Sequence, residues 1–420
     1  MMDTAVENKN ENSSKTFEIL LIIVCWLVYS FAQLGRYSYS SNITLIMDLY
    51  NVSKSVASLP TTLYFFAYGA GQIVVGLLCS RFNRRIVLTI SLLGSALANI
   101  IMFIGVDFGW IKWIWIINGL CQATLWPSLL LTLRKGIHTR YKPFSAIMMS
   151  IASIGGMFLS YGLFALMSIN PENFTYSFLI AAVSLAFAAV IWFIVSGRLK
   201  KKQPYEDVEK QDTTQIGTET GKDKKGSIVV LLLIFIEFSF VAYAVSGGLN
   251  SWVPAILKET YGFRDWVAIL TSVLLPLFML PESFVTSIVY KKTKRFVLPI
   301  VIAFTVTTML LITAIFAIRL SWILLVITFV LSCFTIGIVS NMTTVQVPLY
   351  LKGKFDAGFL AGVLNGACYL GRAFSTYILA VLADQYEWEV SFGFLAGLAA
   401  LSSVIAIAFF ISNTKRGERI

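Results

Sequence analysis

Two arginines lie inside segments that are otherwise apolar. Arg36 falls in SFAQLGRYSYSSNI (residues 30–43) and Arg372 falls in NGACYLGRAFSTY (residues 365–377). A charged side chain in a bilayer is costly, so it is rarely placed there without a partner or a function. Guanidinium groups bind carboxylate or phosphate through two parallel hydrogen bonds and do not lose their charge. The two residues therefore predict a binding site for a small organic anion.

Each arginine belongs to a polar stripe with helical spacing. The stripes are Tyr29, Gln33, Arg36 and Ser40, and Asn365, Tyr369, Arg372 and Thr376. Residues three and four apart share one face of an α-helix. Two shorter stripes fit either the same cavity or ordinary interhelical packing: Tyr64, Tyr68 and Gln72, and Asn118, Gln122 and Trp126. The predicted substrate-binding set is Arg36, Arg372, Tyr29, Gln33, Tyr39, Tyr64, Tyr68, Gln122, Trp126, Asn365 and Tyr369.

Two carboxyl groups also fall within apolar segments, Glu237 in LIFIEFSFVAY and Glu282 in LLPLFMLPESFV. A carboxyl in apolar surroundings can carry a proton near neutral pH, because burial favours its neutral form. We predict proton coupling at these positions and prefer Glu237 for its depth in its segment. The alternative is structural: either carboxylate forms an ion pair with Arg372 or a gate contact, and Arg36 braces its helix through a carbonyl or a tyrosine.

The composition predicts the membrane protein that would position these groups. The chain has 420 residues, of which 57% are hydrophobic and 13% charged, and its mean hydropathy is +0.78. Soluble domains carry about 25% charged residues. The net charge of +11 comes from short basic clusters between apolar segments, which is typical of membrane topology and not of a nucleic-acid partner.

Twelve apolar segments are long enough to cross a bilayer. Their predicted bounds are 17–46, 55–80, 86–106, 110–134, 143–168, 174–197, 228–252, 264–290, 296–318, 321–350, 355–383 and 389–412. Most Lys and Arg residues fall in the tails and loops of one side; the other side holds Lys54, Lys112, Lys258, Arg264 and Arg319. Because Lys and Arg are enriched in cytoplasmic loops, we expect a multi-pass plasma-membrane protein with both termini cytoplasmic.

The chain divides at its middle. We expect a cytoplasmic tail (1–16), a six-helix bundle (17–198), a polar cytoplasmic linker (199–226), a second six-helix bundle (227–412) and a C-terminal cytoplasmic tail (413–420). Two equal halves favour an internal repeat with a binding site between them. The predicted fold class is therefore all-α integral membrane, with twelve transmembrane helices in two pseudo-symmetric halves.

This organisation resembles the Major Facilitator Superfamily. The turn GLLCSRFNRR (76–85) is similar to its loop signature: Gly76, Arg81, Arg84 and Arg85 match, whereas Ser80 and Asn83 replace an Asp and a Gly. The resemblance implies a gating loop at these four matching residues, which would stabilise an outward-facing state, and transport by alternating access.

Several stretches resemble the superfamily's anion carriers, the organophosphate:phosphate antiporters and anion:cation symporters. LGRYSYSSNI is similar to their helix-1 arginine motif, QATLWP (122–127) to their helix-4 Trp-Pro and NSWVPAIL (250–257) to the end of their helix 7. Two features depart from the antiporters: residues 243–248 contain no arginine, and Ala152 and Ser153 stand where a histidine is expected. Arg372 is the candidate second arginine.

These observations predict a secondary active transporter for a carboxylate, sugar acid or phosphorylated metabolite, coupled to protons or to a counter-anion. The alternative within the superfamily is a proton-coupled exporter of lipophilic or multidrug compounds. Enzyme, channel and receptor functions are disfavoured, because nucleophile sets, metal ligands and a large effector region are not evident in the sequence. We expect no cofactor and no metal, a lipid bilayer as the surroundings, and a monomer.

Overall fold

The computed structural model describes residues 2–78, 83–199, 222–293, 296–347 and 357–415. Every regular element in these ranges is helical, and they contain twelve spans long and apolar enough to cross a membrane. Each span overlaps one predicted segment, so the predicted fold class is confirmed. Because consecutive spans reverse direction, the start of span 1 and the end of span 12 lie at one end, which we call the terminal face; the opposite end is the distal face.

Within the described residues, the first six spans are built from eight α-helices. Span 1 contains α1 (Met2–Tyr37) and α2 (Ile43–Tyr50); spans 2 and 3 are α3 (Lys54–Leu78) and α4 (Arg84–Ile104). Span 4 contains α5 (Phe108–Ala123) and α6 (Leu125–Gly136); spans 5 and 6 are α7 (Lys142–Met167) and α8 (Tyr176–Leu199).

The described residues of the last six spans also contain eight α-helices. Span 7 is α9 (Lys222–Tyr261), span 8 contains α10 (Asp265–Ser272), α11 (Leu274–Met279) and α12 (Glu282–Thr293), and span 9 is α13 (Val297–Leu320). Span 10 contains α14 (Trp322–Asn341) and a π-helical turn (Met342–Gln346); spans 11 and 12 are α15 (Ala357–Gln385) and α16 (Trp388–Lys415).

Two helix starts differ from the predicted domain bounds. Helix α1 begins at Met2, within the expected N-terminal tail, and α9 begins at Lys222, within the expected linker. The sequence marks where the apolar residues begin, whereas a helix can extend into polar residues beyond the hydrocarbon region. Linker residues 200–221 lie outside the described residues.

Proline accounts for the interruptions of two spans. It has no backbone N–H and it clashes with the carbonyl four residues earlier. Pro127 follows the junction of α5 and α6, and Pro276 and Pro281 lie where span 8 divides into three helices. Span 1 is interrupted differently: α1 ends at Tyr37, and a 3₁₀ turn at Ser40–Asn42 leads into α2.

Buried apolar side chains form separate cores within the halves and further clusters between them. One cluster of the first half centres on Leu21, Leu92 and Trp192, whereas the second half is filled around Phe238, Phe304 and Phe329. A third cluster joins Tyr64, Phe65 and Tyr68 of span 2 to Tyr369 of span 11. Large apolar side chains such as Ile104 and Phe316 are exposed on the outer surface, as expected for a lipid-facing bundle.

Polar contacts join the two halves at the distal face. Lys258 of span 7 lies 2.6 Å from Asp48 of span 1, and Thr44 of span 1 donates a hydrogen bond to Asp265 of span 8 (2.6 Å). A second group links the start of span 2 to the second half. There the ammonium of Lys54 lies 3.2 Å from Glu259, and the backbone N–H groups of Lys54 and Ser55 donate to the Asp384 carboxylate of span 11 (3.0 and 2.8 Å). The halves are therefore closed against each other at this end.

Candidate functional site

Arg36 and Arg372 lie between the halves, and each donates a hydrogen bond to a tyrosine of the opposite half. Arg36 Nη1 of span 1 donates to the hydroxyl of Tyr369 on span 11 (3.0 Å). Arg372 Nη1 of span 11 donates to the hydroxyl of Tyr37 on span 1 (3.0 Å). Both arginines are almost fully enclosed, with 3% and 6% of their surface exposed. The structure thus brings the two predicted arginines into one reciprocal arrangement.

Aromatic rings cover the guanidinium groups. The Tyr68 ring centroid lies 4.4 Å from the central guanidinium carbon of Arg36, and the Phe65 centroid lies 4.3 Å from that of Arg372. Such contacts stabilise a cation by about 2 kcal/mol when it is desolvated. They leave the hydrogen-bonding edges of both guanidinium groups available.

Three guanidinium nitrogens have no hydrogen-bond partner among the residues that the structure describes. They are Nη2 of Arg36 and both Nε and Nη2 of Arg372. Neither arginine forms an ion pair with a described carboxylate. A buried donor without a partner is costly, and more so when it is charged. The arrangement therefore has the positive charge and the N–H groups that an anion would satisfy.

Two glycines allow Arg372 to lie against span 7. A Cβ atom at Gly247 would lie 2.9 Å from Cδ of Arg372, and a Cβ atom at Gly371 would collide with the backbone carbonyl of Phe240. Helices α9 and α15 can approach this closely only because these positions lack a side chain. The stem of Arg372 is consequently held along the face of span 7.

The Trp-Pro motif of span 4 is connected to the second half through Gln72. Since Pro127 cannot donate to the carbonyl of Ala123, that carbonyl is free, and Gln72 Nε2 donates to it (2.9 Å). Asn365 of span 11 then donates to Gln72 Oε1 (3.1 Å). Asn365 therefore contacts span 2 and neither arginine, although it was predicted as a substrate-binding residue.

The Trp-Val-Pro motif of span 7 works in the same way. Pro254 leaves the carbonyl of Asn250 without its helical donor, and the hydroxyl of Tyr161 on span 5 donates to it (3.1 Å). The Tyr161 ring also packs 5.7 Å from the ring of Tyr37. Both proline motifs thus create acceptors used by neighbouring spans.

The predicted tyrosines and glutamines differ in whether they contact Arg36 directly. Tyr64 accepts a hydrogen bond from Arg36 Nε (3.1 Å) and donates to Gln122 Oε1 (2.9 Å), so Gln122 reaches the arginine only through Tyr64. Gln33 is buried, and its Nε2 has no partner among the described residues. Tyr29 and Trp126 pack on each other with ring centroids 4.7 Å apart.

The structure does not place Tyr39 beside either arginine. Its hydroxyl donates to the carbonyl of Ala57 (2.9 Å), and its ring packs 5.3 Å from that of Trp115 inside the first half. The prediction assumed one continuous helix through the motif, but α1 ends at Tyr37 and the chain turns. The same turn removes Ser40 from the predicted stripe.

The two predicted carboxyls have different surroundings, and neither pairs with Arg372. Glu237 is partly exposed and accepts a hydrogen bond from Ser402 of span 12 (2.6 Å), whereas Glu282 is only 8% exposed. Glu282 Oε2 has no partner among the described residues and lies against Gly337 of span 10, where any side chain would collide with it. The ion pair between Arg372 and a glutamate, which was the structural alternative, is absent from the described part of the chain.

Arg85 of the predicted gating loop makes its contacts within the first half. Arg85 donates to the carbonyl of Phe193 (3.0 Å), and its guanidinium carbon lies 3.8 Å from the centroid of that ring. Arg85 thus fastens the start of span 3 to span 6. Gly76 lies close to Gly362 of span 11, and Arg84 begins α4. Arg81 lies outside the described residues.

Sequence reasoning missed Tyr37 and Phe65, which both contact Arg372. Tyr37 follows Arg36 directly, so on a helix its side chain points about 100° away from the predicted stripe. The sequence does contain a signal, because each half places a tyrosine within three residues of its arginine: Arg36 and Tyr37, and Tyr369 and Arg372.

Curated proteins similar to this chain include a sugar phosphate exchanger, a membrane sensor protein and a probable hexose phosphate transport protein. Sugar phosphate exchanger 3 of Xenopus laevis is 28% identical over 142 residues, which cover 31% of this chain and 27% of that protein. The chain thus spans under a third of that relative's length. Membrane sensor protein UhpC of Escherichia coli (strain K12) is 22% identical over 94% of this chain and 93% of its own. A probable hexose phosphate transport protein of Chlamydia trachomatis is 23% identical over 96% and 92%.

The family assignment rests on a longer match. Residues 25–376 match the Major Facilitator Superfamily, which is most of the chain and includes both arginines. The twelve spans and the site between the two halves agree with this match. The chain is a member of the Major Facilitator Superfamily.

Proposed function

We propose that this chain exchanges small organic anions across a membrane by alternating access. The observation that carries the proposal is the reciprocal arrangement of Arg36 and Arg372, two enclosed cations that form no ion pair with a described residue and have three unpartnered N–H-bearing nitrogens. An anion bound between them would supply both the missing charge and the missing acceptors.

Phosphorylated sugars are the substrate class that we propose. A phosphate monoester presents several acceptor oxygens and up to two negative charges, which suits two arginines better than a single carboxylate does. The names of the sugar phosphate exchanger and the hexose phosphate transport protein support the same class. Inorganic phosphate, which has the same head group, is the proposed counter-anion.

The two arginines come from different halves, and this supports the alternating-access mechanism. An anion that binds both would draw the halves together, and their separation at either end would release it. We propose that the distal face is the outer side, that both termini are cytoplasmic and that a monomer in the plasma membrane is the working unit. The distal contacts of Lys54 and Lys258 would then close the outer side.

Glu282 is the carboxyl that we propose for proton binding. It is enclosed, it has no ion-pair partner among the described residues, and it packs on Gly337. The sequence favours Glu237, and its Oε2 also has no partner among the described residues, but its Oε1 accepts from Ser402 of span 12 and the residue is partly exposed, so the more enclosed Glu282 is the better candidate. The depth of a residue in its span does not say which way the side chain points.

A sensor is a second candidate function, because UhpC, a membrane sensor protein by name, aligns with nearly the whole chain. The same anion site would then bind a ligand without moving it. An exporter of cationic or lipophilic compounds is disfavoured, since two uncompensated arginines would repel a cation.

The proposed function is tested with purified protein in liposomes loaded with inorganic phosphate. We expect external glucose 6-phosphate to accumulate only in loaded vesicles, and Arg36→Lys to abolish that accumulation. Thermal stabilisation by glucose 6-phosphate without exchange would favour the sensor. Stabilisation by lipophilic cations alone would contradict the anion site altogether.

A further inference from the structure

A closed ring of hydrogen bonds connects Arg36 of span 1 to spans 2, 3 and 4 of the first half. Arg36 Nε donates to the hydroxyl of Tyr64 (3.1 Å), and that hydroxyl donates to Gln122 Oε1 (2.9 Å). Gln122 Nε2 donates to Ser95 Oγ (3.0 Å), and the Ser95 hydroxyl donates to Asn118 Oδ1 (2.6 Å). Asn118 Nδ2 donates to the carbonyl of Gly35 (3.0 Å), which completes the set. Gly35 precedes Arg36, so the ring closes through the backbone. We call these six residues the Arg36 ring.

All hydrogen bonds of the Arg36 ring run in one direction, and Arg36 sets that direction. The Nε of an arginine can only donate, so the proton of Tyr64 must point away from it, towards Gln122. This fixes the amide orientation of Gln122, whose nitrogen then faces Ser95. Ser95 in turn donates to Asn118, and the amide nitrogen of Asn118 is left to donate to the backbone beside the arginine.

The ring lies in the interior of the first half. Tyr64, Gln122, Ser95 and Asn118 are between 0% and 1% exposed. A Cβ atom at Gly35 would lie 3.1 Å from Gln122 Nε2 and 3.2 Å from Ser95 Oγ, so the glycine lets span 1 approach both groups. Because a broken bond would leave a buried polar group unpaired, the ring holds as a unit.

The ring uses Nε of Arg36 and leaves both Nη groups outside it. With Nε held by Tyr64, Nη1 reaches Tyr369 across the interface and Nη2 has no described partner. An arginine side chain that is free to rotate would hold its two Nη groups in this orientation only part of the time. Fixing Nε thus orients the two Nη groups towards the place where the anion would bind.

We propose that Ser95 and Asn118 are positioning residues for anion binding, acting through the ring on Arg36 without touching the anion. This inference rests on the proposed function. It also reassigns Gln122, predicted from the sequence as a substrate ligand, to the same positioning role.

The test compares Ser95→Ala with Ser91→Ala. Ser91 lies one helical turn earlier on α4 and also bonds to span 4, through the hydroxyl of Thr124 (2.7 Å), but it is not part of the ring. Each variant removes one hydroxyl that bonds to span 4; Ser95 forms two such bonds, with Gln122 and Asn118, and Ser91 forms one, with Thr124. Melting without ligand verifies that both variants fold, and the dissociation constants of glucose 6-phosphate and inorganic phosphate are then measured by titration.

We expect Ser95→Ala to weaken binding of both anions about three- to tenfold, the effect of losing one hydrogen bond that orients a ligand. Ser91→Ala should bind as the unsubstituted protein does. In a Tyr64→Phe background, where the link to Nε is already broken, Ser95→Ala should weaken binding by a smaller factor than it does alone.

The possible failures are distinguishable. If the unsubstituted protein binds both anions and Ser95→Ala binds them equally well, the positioning role is wrong while the anion site stands. Equal weakening in Ser95→Ala and Ser91→Ala would also overturn it, since the effect would follow helix packing and not the ring. If the unsubstituted protein binds neither anion, the proposed function and this inference are both overturned.

Discussion

Arg372 of span 11 donates a hydrogen bond to the hydroxyl of Tyr37 on span 1 over 3.0 Å, and the residue before Tyr37 in the chain, Arg36, is bonded in return to Tyr369 of span 11. Each half therefore supplies one cation and one hydroxyl to the other. Neither hydroxyl carries a charge, so the cross-half bonds orient the arginines without neutralising them.

Removing the hydroxyl of Tyr37 should loosen the contact between the halves. Tyr37→Phe leaves Arg372 Nη1 without its acceptor, which costs about 1–3 kcal/mol for a buried donor. We expect a lower melting temperature and a broader distance distribution between spin labels at the exposed distal positions Leu49 and Tyr386.

Tyr50→Phe is the matched control for that experiment. Tyr50 donates to the carbonyl of Val106 (2.9 Å) within the first half, so its loss removes a similar bond without touching the interface. An unchanged label distance in Tyr37→Phe, or an equal change in both variants, would mean that the cross-half bond does not hold the halves together.

Adding one methyl group at Gly247 should disturb the anion site. The new Cβ in Gly247→Ala would lie 2.9 Å from Cδ of Arg372, so the arginine stem must move away from span 7. We expect weaker binding of glucose 6-phosphate, by about tenfold or more, because a misplaced guanidinium loses charge-assisted hydrogen bonds.

Gly162→Ala provides the comparison. A Cβ at Gly162 meets no described atom within 4 Å, so this variant should bind normally and be slightly more stable, as alanine is about 0.5–1 kcal/mol better than glycine inside a helix. Normal binding by Gly247→Ala would show that the position of Arg372 is unimportant for the ligand.

Charges at the distal face should control closure of that end. Lys54→Glu places a carboxylate beside Glu259 and should favour opening, whereas the double variant Lys54→Glu with Glu259→Lys should restore much of the closed state. Reactivity of a cysteine introduced at Ser55, whose backbone is bonded to Asp384, provides the measurement. Increased reactivity in both variants would show that the pair of charges is not what closes this end.

The two glutamates should respond differently to neutralisation. Glu282→Gln removes the carboxyl that we assign to proton binding, so the pH dependence of exchange should flatten, while Glu237→Gln should retain it. Exchange is measured in liposomes between pH 5.5 and 8, a range chosen around neutrality because a buried carboxyl can titrate there. A flattened profile in Glu237→Gln with a normal one in Glu282→Gln would reverse the assignment.

Much of the fold could be predicted from the sequence, because spanning length and basic clusters are strong signals. The arginines were also identifiable, since charge inside an apolar segment is rare. The contacts of Tyr39 were not, because they depend on the end of α1 at Tyr37, and residues 37–43 contain neither a proline nor a glycine. The direction of Glu237 could not be predicted either, because α9 is apolar on most of its circumference and its sequence does not distinguish the faces.

The central claim is that one anion binds Arg36 and Arg372 together, and equilibrium binding to Arg36→Lys, Arg372→Lys and the double variant tests it most directly. Lysine keeps the charge but cannot form the paired hydrogen bonds. We predict that each single variant binds glucose 6-phosphate about 10- to 100-fold more weakly, as expected for losing a charge-assisted bond of about 1.5–3 kcal/mol, and that the double variant shows no measurable binding. Affinity unchanged in either single variant would contradict a site shared by the two arginines.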